Sequence, residues 1–105
     1  MTTAPTARER PVAVPDDLDD SARIEGIVRL PQSIRWSGEP IDYDLANPRH
    51  LRSVYEQVLR EGTEDDVRRF VRASTLVEIW DELYLPAYVR AAWEPWLQTH
   101  RVPHS

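Results

Sequence analysis

Leu76–Leu97 reads LVEIWDELYLPAYVRAAWEPWL, and the fold turns on how this stretch is divided. Leu76, Ile79, Trp80 and Leu83 fall at i, i+3, i+4 and i+7, one face of an α-helix. Ser74 or Thr75 can offer an N-cap oxygen, with Glu78 placed as in a capping box. Leu85-Pro86 breaks the period. Proline disfavours helix in the residue before it and suits the first turn of a new one. Val89, Ala92, Trp93, Trp96 and Leu97 then resume the stripe. Pro95 removes a backbone N–H and crowds the carbonyl of Ala91, so a kink or an early end is expected there. The stretch is therefore two helices back to back. Its tryptophans read first as core, while any that stay outside would serve as partner anchors, because Trp and Tyr dominate binding hot spots.

Upstream lie two more helices. In 47–62, Asn47 caps, Pro48 opens, and Leu51, Val54, Tyr55, Val58 and Leu59 trace the buried stripe. Gly62 is expected to close it in the left-handed conformation. Arg49, His50 and Arg52 put positive charge at the positive end of the macrodipole, at a cost of a few tenths of a kcal/mol each. That cost suits contact with an acidic partner, and random surface arginine explains it as well. Thr63 caps the next helix, with Glu64, Asp65 and Asp66 in its first turn and Arg68, Arg69 and Arg72 later. Helix stability accounts for that layout. Val67, Phe70 and Val71 form its apolar face.

The N-terminal part has no helical period. Residues 1–22, rich in proline and aspartate, are expected to be a disordered tail, with too little apolar bulk to offset the entropy of ordering. Residues 23–46 are expected to form an extended arm pinned by Trp36, Tyr43 and Leu45. Short strands around Ser33–Trp36 and Ile41–Leu45 would flank the turn Ser37–Pro40. The expectation is thus an all-α domain over 47–99, with helices near 48–61, 64–72, 75–84 and 86–98. The arm and tail precede it and a frayed end, 100–105, follows.

Composition narrows the function. The chain has 105 residues, 30% of them charged and 41% apolar, a balance suited to one small soluble domain. It holds no cysteine, so neither a disulfide framework nor a thiolate metal site is available. No apolar run approaches membrane-spanning length, and no signal pattern opens the chain, so the cytosol is the expected location. The net charge of −5 argues against phosphate binding by the whole chain. All 13 cations are arginines, planar forks suited to carboxylates.

No reaction announces itself. His100 and His104 have ligand spacing, but Pro103 lies between them, so no metal is expected. Glu78, Asp81 and Glu82 form an acidic helix face of the kind water normally covers. Three scattered glycines cannot build a phosphate loop. A binding protein is expected rather than an enzyme, without a cofactor. The contact residues expected are Trp36, Tyr43, Trp80, Asp81, Tyr84, Tyr88, Trp93 and Trp96.

The run Leu30–Leu97 resembles short proteins encoded beside AbiEii/MenT-type nucleotidyltransferases. The resemblance lies in Tyr55-Glu56-Gln57-Val58-Leu59-Arg60-Glu61-Gly62, Leu76 through Trp80-Asp81, Leu85-Pro86 and Arg90-Ala91-Ala92-Trp93. It implies an antitoxin that binds and restrains a partner nucleotidyltransferase toxin. The chain departs from the longer AbiEi antitoxins in having no room for their winged-helix DNA-binding domain, which puts operator binding in doubt. The rival reading is a small helix-turn-helix regulator, with 64–72 and 75–84 as the pair and Arg68, Arg69 and Arg72 on phosphates. Glu78, Asp81 and Glu82 on its recognition helix would repel DNA. A small enzyme using Glu78, Asp81 or His50 ranks third. Homo- and hetero-oligomers are equally compatible with the apolar stripe.

Overall fold

The computed structural model describes residues 12–15, 17–20, 22, 24–34 and 41–100. Helix α1, Pro48–Glu61, begins where its cap chemistry dictates: the Asn47 side chain accepts from the Arg49 N–H at 2.9 Å, with Pro48 next. Its buried face is Val54, Tyr55, Val58 and Leu59. Helix α2, Glu64–Phe70, opens on a reciprocal capping box. The Asp66 N–H donates to Thr63 Oγ1 and the Thr63 N–H to Asp66 Oδ2.

Gly62 is not left-handed. It is extended, with φ −84°, and its N–H bonds to the Val58 carbonyl. Glycine is needed there for space: a Cβ would stand 2.8 Å from the Val58 oxygen and 2.9 Å from the Asp66 Cβ.

Helix α3, Ala73–Ile79, starts two residues before the expected position and has no cap of its own. The oxygens come from far upstream. Asp20 Oδ1 accepts from the Ser74 N–H at 2.8 Å and the Asp19 carbonyl from the Ala73 N–H at 3.0 Å. A 3₁₀ turn, Trp80–Glu82, continues α3, and α4, Ala87–His100, follows Pro86. Helix α4 runs through Pro95 instead of ending there. Both Pro95 and Ala91 are exposed, so the carbonyl crowded by the proline ring faces water, while Trp93, Trp96 and Leu97 hold the opposite side in the core. His100, expected in the frayed end, belongs to this helix.

The molecule is mainly helical but not purely so. Strands β1, Ile27–Arg29, and β2, Asp42–Asp44, pair antiparallel with Val28 opposite Tyr43. The expected arm thus contains a true ladder. Its first strand lies at 27–29, and 32–34 form a turn closed by the Ile34 N–H on the Pro31 carbonyl. Gly26, at φ +76°, brings its carbonyl to the Leu45 N–H just beyond the ladder. Arg29 and Asp42 bridge the strands at 2.8 Å. Val28 and Tyr43 face inward, where Gln57 Nε2 donates to Tyr43 Oη.

The described part of the expected tail is also packed. Pro15, Leu18 and Ala22 are buried, and Val12, Ala13 and Val14 lie against the core. Alternating small apolar residues and carboxylates gave too little bulk to predict this. The helix start they cap supplies the missing compensation.

Candidate interaction surface

The aromatic residues separate cleanly by position. Trp80, Trp93 and Trp96 are 2%, 0% and 7% exposed, so these three are core, as their spacing first suggests, and their place among the expected contact residues is corrected. Each sits on the inward stripe of its helix or turn, where burying a large ring stabilises more than any other placement. Trp93 and Trp96 meet edge to face, and His100 stacks on Trp96 at 3.9 Å. Neither Trp93 nor Trp96 has a partner for its buried indole N–H among the described residues, a cost outweighed by the ring area. Tyr43 is also inside, in contact with His50. Trp36 lies outside the described residues.

What stays outside is a corner at the junction of the 3₁₀ turn and α4. Tyr84 is 85% exposed and Tyr88 46%. Asp81 and Glu82 are exposed beside them in sequence, as is Glu78 one turn earlier. Tyr84 is the notable member because its backbone is held fast. Its neighbours Leu83 and Leu85 are both buried. Its N–H donates to Glu56 Oε2 on α1 at 2.8 Å. The Leu83 N–H bonds back to Trp80, and the Leu83 carbonyl accepts from Arg90, whose guanidinium lies over the Trp80 ring. Glu82 is tied to Arg52 of α1 at 3.2 Å. The extended segment 83–86 therefore presents a phenol on a fixed base, closely following Asp81 and Glu82 in the chain. Glu56 escaped the sequence reading. It lies 28 positions from Tyr84, and nothing local marks it.

Several of the described basic residues are engaged within the molecule. His50 Nδ1 accepts from the Asp44 N–H at 2.9 Å, so the ring ties α1 to β2. Arg68 reaches Asp17, Glu64 and Asp65, and the hydrogen bond to Asp17 raises its pKa. Arg72 Nε donates to the Ala22 carbonyl, and its N–H to Tyr55 Oη. Burial raises the Tyr55 pKa above its ordinary value, because the anion would lose its water. The pair α2–α3 does follow in close succession, as a helix-turn-helix requires. Yet Arg68 and Arg72 are engaged, and the start of α3 already carries Asp20. That end of the helix offers phosphate a carboxylate instead of bare N–H groups.

Among the described residues no set of three or more His, Asp or Glu side chains could hold a metal ion. Among the described residues no helix is long and apolar enough to cross a membrane. No protein-family model, curated protein or solved structure matches this chain.

Proposed function

We propose that this chain is a protein-binding antitoxin that neutralises a nucleotidyltransferase toxin by direct complex formation in the cytosol. The observation that carries the binding role is Tyr84: a ring 85% exposed on a backbone fixed by Glu56 and two buried leucines. A ring carried on a backbone already fixed before binding leaves less entropy to lose when a partner covers it. The acidic residues beside it suit a basic partner surface, of the kind an enzyme handling nucleotides and RNA must have, and such charge speeds and orients encounter. The nature of the partner rests on the sequence resemblance described above. Asp81, Tyr84 and Tyr88 are the contact residues.

The test is co-expression with the nucleotidyltransferase encoded next to it, followed by co-purification and a growth-rescue assay. A complex with low-micromolar or tighter affinity, weakened by Y84A, is expected. Absence of a complex at micromolar concentrations, with both chains folded, would remove the proposal.

A further inference from the structure

At the other end of α4 the N-terminal segment crosses the helices as a strap. Pro15 and Leu18 are its buried anchors. Four polar contacts of the strap's described residues with α2, α3 and their link run in one direction. Arg68 Nε donates to Asp17, the Ala73 N–H to the Asp19 carbonyl, the Ser74 N–H to Asp20, and Arg72 Nε to the Ala22 carbonyl. The helical body supplies the donors and the strap the acceptors. A receptor groove that reads an acidic peptide has the same division of labour: cations and N–H groups for the carboxylates, and an apolar seat for the side chain between them.

The strap does not fill the cleft it occupies. A hollow of about 310 Å³ remains between Val14 and the Pro95, Trp96 and His100 side of α4. A second, of about 350 Å³, lies between Asp20, Ser74, Val77 and His100. His100 lines both hollows. A chain with larger apolar groups than Val14 would bury more area in the same cleft.

We propose that the cleft between α2, α3 and the C-terminal end of α4 is a docking groove for an acidic, leucine-centred segment of a partner protein, and that the strap is its tethered competitor. This goes beyond the antitoxin reading, because the groove and the Tyr84 corner lie at opposite ends of α4. Tethering gives the strap an effective concentration on the order of millimolar, so the groove stays closed to weak ligands and opens to better-fitting ones.

The probe is a fluorescein-labelled peptide of the Val12–Ile24 sequence, titrated into the full chain carrying L18A and D20A. Saturable binding is expected, about tenfold or more tighter than to the unaltered chain, where the strap competes. A Val14→Leu change in the peptide should tighten binding about threefold by filling the hollow beside Trp96. A Leu18→Ala peptide should not bind. If circular dichroism shows the strap-released chain unfolded, hydrogen exchange on the unaltered chain decides: excess V14L peptide should raise deuterium uptake in residues 12–22. Lack of saturable binding to a folded released chain, binding indifferent to the leucine, or unchanged uptake would each overturn the proposal. So would a dimer of exchanged straps that excludes the peptide.

Discussion

Tyr84 and Trp93 differ in what their side chains contribute. Replacing Trp93 with alanine empties a fully buried site and should cost about 3–5 kcal/mol of stability, so any loss of binding would follow from unfolding. Replacing Tyr84 removes a ring that is mostly in water. Stability should change by less than about 0.5 kcal/mol in chemical denaturation. Affinity for the partner should fall by about 2 kcal/mol, roughly thirtyfold, measured by calorimetry. Equal losses for the two variants at matched folded fraction would contradict the assignment of Tyr84. Gly62 supplies a second case. Its backbone angles suit any residue, but a methyl group would collide with the Val58 carbonyl and the Asp66 Cβ. Gly62→Ala should therefore destabilise by about 1–3 kcal/mol in a urea melt, through crowding and not through backbone strain.

Two helices show how context overrides local rules. Helix α4 carries a proline in its interior, and the reading of Leu76–Leu97 placed a kink or an end there. The helix persists because its apolar face, Val89, Trp93, Trp96 and Leu97, is held in the core on both sides of the proline. Pro95→Ala restores an N–H for the Ala91 carbonyl on an exposed face. It should raise stability by about 1–2 kcal/mol, after allowing for the greater freedom of the unfolded chain. A lower melting temperature would mean that the ring packs something the helix needs. Helix α3 is the converse case. Ser74 and Thr75 are good caps by type, yet the first-turn donors go to Asp19 and Asp20. Helix caps are read from neighbouring residues, and these oxygens arrive from more than fifty positions away.

For the whole molecule, pH dependence at the alkaline end follows from one buried phenol. Tyr55 accepts from the Arg72 N–H between α1 and α3, and burial raises its pKa above the ordinary value near 10. The unfolded chain then releases this proton first. The stabilising contribution is complete below about pH 10 and is lost as pH rises through the folded pKa. Thermal melts between about pH 8 and pH 11 should show this decline, and Tyr55→Phe should flatten it. The same variant should lose about 1 kcal/mol near neutrality, because the Arg72 N–H is left without its acceptor. An unchanged alkaline slope in the variant would assign the decline to other groups. The acidic tyrosine corner lies at the start of α4 and the strapped cleft at its end.

Helix identity and order, both ends of α1 and the start of α2 were determined by the sequence alone, because capping residues and apolar spacing act within a few positions. Asn47, Thr63 and the stripes of α1 and α4 are visible without any partner in space. The site was legible only in part. Asp81, Tyr84 and Tyr88 were among the residues singled out, but so were Tyr43, Trp80, Trp93 and Trp96, which the fold takes inside. Spacing shows which residues share a helix face; it does not show how much surface the neighbouring elements cover. Only the tertiary structure decided that. It brought Leu18 into the core and Asp20 onto α3, paired Ile27–Arg29 with Asp42–Asp44, and set Glu56 on the Tyr84 N–H. Each of these contacts joins residues distant in the chain, and their energy exists only once the intervening segments have folded.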